Sequence, residues 1–210
     1  MRARILKEAA HLFARQGVNG TSLDEIARAV GIRKPSLLYH FPSKDELRRT
    51  VLEETVAPWN RSLPRLLMGE NAGEDRLDRA ALELVAFFAE DTDRARLLLR
   101  EALDRPQEVG ALFGTYIERW IDAMVEYLER RRREGHLRED VDVEAFFVSM
   151  ITLAVSSIAI SDLVEGILAR SDRPATERLA EELLRIARTS LFRRSQSGVP
   201  AAPQRPGTPA

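Results

Sequence analysis

A chain of 210 residues with 44% hydrophobic and 31% charged positions can bury a core that needs no staples. It has no cysteine, which excludes disulfides, zinc fingers, iron–sulfur clusters and thiol nucleophiles, and fits a reducing compartment. The net charge of −1 gives no chain-wide attraction to polyanions, but residues 1–56 hold ten Lys and Arg against seven Asp and Glu, a net of +3, leaving 22 against 26 for the remainder.

Apolar residues recur at three- and four-residue spacing and no stretch alternates like a strand, so the expected fold is all-α. The opening MRARILKEAAHLFARQG is charged throughout and lacks the apolar core of a secretory signal, and the expected location is cytoplasmic. Ile5, Ala9, Leu12 and Phe13 form one face of a first helix, which Gly17 is expected to stop in a left-handed conformation. Ser22 and Glu25 make a capping box that opens a second helix through Leu23, Ile26, Ala27 and Val30, and Gly31 turns the chain after it. Pro35 suits a first helical turn, so a short third helix is expected over 34–40.

Phe41-Pro42 breaks that helix, and Ser43 with Glu46 caps a fourth that carries Leu47, Val51 and Leu52 until Pro58 and Pro64 interrupt it. Residues 69–75 read as a loop. Helices are expected at 74–90, 93–104, 107–134, 142–168 and 175–194, and 195–210 as a disordered tail with too little apolar surface to offset ordering entropy. The longest uncharged run, Ala145 to Ser161, is shorter than the roughly 20 apolar residues of a membrane span and carries several hydroxyls, so no membrane is expected.

Three short helices with a glycine turn between the second and third match a helix-turn-helix, whose second helix enters the major groove of DNA. The residues go further. From Ala9 to Leu47 the chain resembles, without gaps, the N-terminal signature of the TetR family of bacterial transcriptional regulators: Phe13 and Gly17, then Thr21-Ser22, Ile26-Ala27, Gly31, Tyr39-His40-Phe41 and Ser43-Lys44. Phe13, Ile26, Ala27, Leu37 and Phe41 are spaced to close a small core. On the opposite arc the resemblance implies a DNA-reading surface of Arg33, Lys34, Pro35, Ser36, Leu38 and Tyr39, with phosphates held by Thr21, Ser22, His40 and Lys44. Pro35 stands where the family often has glycine and Leu38 where it often has tyrosine, so Leu38 can offer DNA only apolar contact. Tyr39 and His40 packed beneath the domain, and Arg33 and Lys34 as solvated charges, remain open alternatives at this point.

The resemblance covers about a quarter of the chain. It implies that 1–56 is the DNA-binding domain and 57–194 an effector-binding and dimerisation domain, and hence a homodimer on a palindromic operator controlled by a small molecule, most simply as a repressor; the apolar and aromatic residues of the middle helices suggest that this molecule is apolar. The apolar 142–168 and amphipathic 175–194 would supply half of a four-helix interface. An effector pocket is expected among Trp59, Phe87, Phe88, Leu99, Phe113, Tyr116, Trp120 and Met124, with Arg100, Glu101 and Asp104 to orient a polar end. Neither His11 nor His136 has a partner at metal-ligand spacing, and Arg130–Arg133 reads as a helix end. With no nucleophile–base pair and no Gly-rich phosphate loop, neither a metal, nor a cofactor, nor a catalytic role is implied. The competing reading is an all-helical module that binds protein through the same shape, which the modest +3 charge favours.

Overall fold

The computed structural model describes the backbone of residues 1–68, 75–116 and 118–192, and the side chains of these except 59–68, 75–77, 116, 119 and 120. The described residues are helical throughout, apart from loops and a single antiparallel bridge between Leu137 and Phe192. The helices are α1 (Arg2–Gly20), α2 (Leu23–Val30), α3 (Lys34–His40), α4 (Lys44–Met68), α5 (Asp75–Glu90), α6 (Thr92–Asp104), α7 (Pro106–Tyr116), α8 (Glu118–Arg133), α9 (Val143–Ala159), α10 (Ser161–Ile167) and α11 (Ala175–Leu191).

Two apolar clusters organise them. Ile5, Ala9 and Phe13 of α1, Ile26 and Val30 of α2, Leu37 of α3 and Leu47, Val51 and Leu52 of α4 close the first. The second gathers Val56 of α4 with Phe88, Leu98, Met124, Leu128, Phe147, Val155 and Leu191 from α5, α6, α8, α9 and α11. α4 thus runs out of the N-terminal head and into the body. The head sits on α6 and α7, and Leu97 of α6 is buried in the head's own core.

Three features differ from the expectations drawn from the sequence. Gly17 does take a positive φ, 78° with ψ 161°, but the helix kinks there and continues to Gly20 instead of stopping. Pro58 and Pro64 lie inside α4 without ending it. Burial of Leu47, Val51, Leu52 and Val56 anchors the helix's first half and offsets a penalty of about 3 kcal/mol for an interior proline. The stretch 142–168 is two helices bent by 80° around Ile160. At that corner the Ala159 carbonyl accepts from Arg96 Nε at 3.0 Å, a bond that replaces the next helical turn, and Arg96 Nη2 also pairs with Asp162 at 2.8 Å.

Among the described residues no single helix is long and apolar enough to cross a membrane, and α9 with α10 reaches that composition only as the bent pair. The tail 195–210 and most of the 69–75 loop lie outside the described residues.

Candidate nucleic-acid interface and effector cavity

The head is set by local chemistry. Ser22 Oγ accepts the Glu25 amide at 3.1 Å while the Glu25 carboxylate reaches back to the Ser22 amide at 3.5 Å, completing the capping box. Gly31, at φ 77° and ψ 33°, ends α2 with its amide on Arg28 O and the Ile32 amide on Ala27 O, a turn that only a residue tolerant of the left-handed region makes cheaply. α3 then begins at Lys34 with Pro35 in its first turn. Seven residues are too few for a stable isolated helix, so α3 depends on tertiary support. Leu37, fully buried, and Phe41, 1% exposed at the C-cap, provide it, with the Arg2 guanidinium 5.1 Å over the Phe41 ring. Ser43 Oγ accepts the Glu46 amide at 3.1 Å and starts α4.

What α3 leaves outside is one polar arc with an aromatic in it. Arg33, Lys34, Pro35, Ser36 and Tyr39 are exposed, and Leu38 and His40 are half-buried. Tyr39 is 85% exposed, its ring edge-on to His40 at 5.5 Å. An aromatic ring so exposed on a helix so firmly held is a candidate contact surface. Ser22 is exposed and Lys44 half-buried beside this arc. Thr21 is corrected: it is 1% exposed and its hydroxyl donates to Gly17 O at 2.8 Å, so it braces the kink in the last turns of α1 and is not available to a phosphate.

A second constellation was not anticipated. Arg48 of α4 and Glu101 of α6 are both buried, and Arg48 Nη1 donates to Glu101 Oε2 at 2.8 Å. Arg48 Nη2 also bonds Glu108 of α7, and Arg105 stands 3.5 Å from the other Glu101 oxygen. Burial pulls the Arg48 guanidinium's pKa down, but its bonds to Glu108 and Glu101 outweigh that and hold it above the ordinary value. The Glu108 carboxyl is held below its ordinary range, first by its hydrogen bond from Arg48. The two halves of the molecule meet at this cluster, and also where His11 Nδ1 of α1 lies 2.6 Å from Asp93 Oδ2 of α6. A faint signal existed in the sequence: Arg48 shares the helical spacing of buried Val51 and Leu52, and Glu101 that of buried Leu97 and Leu98.

In the body, Phe87, Phe88 and Phe113 come together with Thr55, Val56, Leu98, Ile151 and Val155 around one apolar cavity. A second apolar cavity lies between α5, α9 and α11, walled by Leu84, Phe146, Phe147, Met150 and Leu183, with Ile151 common to both. Arg100 is corrected: it is exposed and donates to Arg15 O at 3.3 Å on the head, away from either cavity. Glu101 is likewise committed to Arg48, and Asp104 is exposed. The side chains of Trp59, Tyr116 and Trp120 lie outside the described residues. Among the described residues no group of three His, Asp or Glu could hold a metal ion.

Comparison with known proteins agrees with this architecture. Residues 5–51 match the family model of bacterial regulatory proteins of the tetR family. The chain is 28% identical over 181 residues to the transcriptional activator FasR of Mycolicibacterium smegmatis, covering 86% of this chain and 78% of that one. It is 30% identical over 116 residues to IcaR of Staphylococcus aureus, a negative transcriptional regulator of the biofilm operon icaADBC, covering 54% of this chain and 60% of that one. A transcriptional regulator from Saccharomonospora viridis solved in complex with choline shares the fold with a TM-score of 0.68 at 20% identity, over 92% of this chain and 98% of that one. The N-terminal head thus matches the tetR family model, the chain is similar over most of its length to a transcriptional regulator, and its all-helical fold is shared with a solved one.

Proposed function

We propose that the protein is a homodimeric repressor that holds a palindromic operator with α3 of each subunit and is controlled by a small apolar ligand in its body. Residues 1–56 are the DNA-binding domain and 57–194 the effector-binding and dimerisation domain, acting in the cytoplasm on the chromosome. The observation that carries this reading is Tyr39, 85% exposed on a helix whose other face is fixed by Leu37 and Phe41. Around it Arg33, Lys34, Pro35, Ser36 and Leu38 offer base and backbone contacts, and Ser22, His40 and Lys44 offer phosphate contacts. IcaR, named a negative regulator, supports repression, and FasR, named an activator, makes the sign of control a quantity to measure. A footprint of the purified protein on genomic fragments identifies the operator. Tyr39→Ala is then expected to weaken operator binding about ten-fold or more with helicity unchanged. Unaltered binding by that variant, or no fragment preferred over random DNA, would refute the reading.

Dimerisation is supported by apolar side chains that the single chain leaves in water. Val148 and Leu153 of α9 are 49% and 40% exposed, Ile160 at the corner 45%, and Leu163 and Ile167 of α10 61% and 67%. Leu163 and Ile167, four residues apart, share one helix face, and a second copy related by a two-fold axis is the simplest cover for it. Such a pair presents two recognition helices to successive major grooves roughly 34 Å apart. Leu163→Glu with Ile167→Glu is expected to give a folded monomer in sedimentation velocity, with operator affinity reduced about 100-fold through lost avidity. A double variant that sediments as a dimer would move the interface elsewhere.

For the effector, the regulator of like fold was solved in complex with choline, which supports control by a small molecule. Here Phe87, Phe88, Phe113, Val56 and Leu98 line a small cavity of about 20 Å³ without a charged group; the lining supports an uncharged, apolar ligand, for which these side chains must move apart.

A further inference from the structure

Lys34 opens the recognition helix, where the helix dipole's positive end disfavours a cation. What holds it there is Asp24, in the first turn of α2: Lys34 Nζ donates to Asp24 Oδ2 at 2.7 Å. Asp24 is itself well placed, because a carboxylate in a first helical turn is favoured by the same dipole. The side chains are 45% and 57% exposed, so the pair adds little to stability and opens readily. Its consequence lies in binding. In the free protein the charge of Lys34 is cancelled inside the head, whose net charge is only +3.

We propose that Asp24 is a specificity-determining residue, an internal competitor for Lys34 that suppresses binding to non-operator DNA. This rests on the reading that α3 enters the major groove with Lys34 in contact. On random DNA, Lys34 would exchange one anion, the Asp24 carboxylate, for another, a phosphate, with little net release of counterions, while the displaced Asp24 faces the polyanion. On the operator, a base-edge acceptor in register with the other contacts compensates that exchange. Asp24 therefore discounts the wrong complex more than the right one, as specificity by penalty requires.

The test is fluorescence anisotropy of the full-length protein on its footprinted operator and on a random duplex of equal length, across a salt series. The proteins are wild type, Asp24→Asn, Lys34→Met and the double variant, with circular dichroism to confirm folding. Asp24→Asn is expected to tighten random-duplex binding about ten-fold at low salt and operator binding less. It should also steepen the random-duplex salt dependence by about one unit of log–log slope per head. The double variant should behave as Lys34→Met alone. An unchanged affinity and slope in Asp24→Asn overturns the proposal, as does an equal gain in the Lys34→Met background, which would mark a general charge effect. If Lys34→Met leaves both duplexes bound as before, the placement of Lys34 at DNA fails and the proposal with it. If Lys34→Met weakens binding while Asp24→Asn changes nothing, only the role of Asp24 fails.

Discussion

Glu101→Ala is expected to destabilise the whole protein by about 3 kcal/mol, read as a lower midpoint in urea unfolding and a reduced melting temperature. The cause is the charge left behind. Removing one partner of a buried ion pair typically costs about 3–5 kcal/mol because the other stays buried without compensation. Arg48 retains its bond to Glu108, which sets the expectation at the lower end of that range. The paired replacement Arg48→Met with Glu101→Leu should recover most of the loss, since an apolar pair of similar volume avoids desolvating two charges. Arg48 Nε and Arg105 Nη1 are buried without a hydrogen bond, so the native cluster is not optimised for stability. The double variant is expected to be nearly as stable as wild type yet weaker on the operator, because a directional pair between α4 and α6 orients the head where an apolar contact does not. Equal operator affinity in that variant would show that the cluster only fills space.

How much of this was legible in the chain depends on how far apart the interacting residues lie. Ser22 with Glu25, Ser43 with Glu46, and Gly31 act within one helical turn, and each performs in the structure the task its spacing implied. Phe13, Ile26, Ala27, Leu37 and Phe41 were also readable as a core, because three short helices leave few ways to pack. Reading failed where a distant residue decides. The bend at Ile160 depends on Arg96, 63 positions from the carbonyl it holds. Arg48 meets a carboxylate 53 positions away, and Arg100 a carbonyl 85 positions away. No local pattern encodes such pairings. Phe87, Phe88 and Phe113 do meet around one cavity, but composition alone did not separate them from the charged Arg100 that lies between them in the sequence. Pro58 and Pro64 were misread for a related reason: proline's local penalty is real, but tertiary anchoring of α4 overrides it.

Phe41→Ala is expected to abolish operator binding without touching DNA. Phe41 is 1% exposed, and its amide closes α3 on Leu37 O at 2.9 Å. Truncating a buried phenylalanine costs about 3–5 kcal/mol in lost transfer energy and cavity formation. That loss falls on the head, whose core is small and whose recognition helix of seven residues has no stability of its own. The body keeps a separate cluster around Met124, Leu128 and Phe147. Amide hydrogen exchange should therefore show lost protection over α1 to α3, with α8 and α9 still protected and the protein still dimeric. The contrast with Tyr39→Ala separates two ways of losing DNA binding. Tyr39, 85% exposed, should lower affinity with exchange in the head unchanged, because it removes a contact and leaves its support intact. If Phe41→Ala melted head and body together, the head would be no independent cooperative unit, and the buried Arg48–Glu101 junction and Leu97 would bind the two into one.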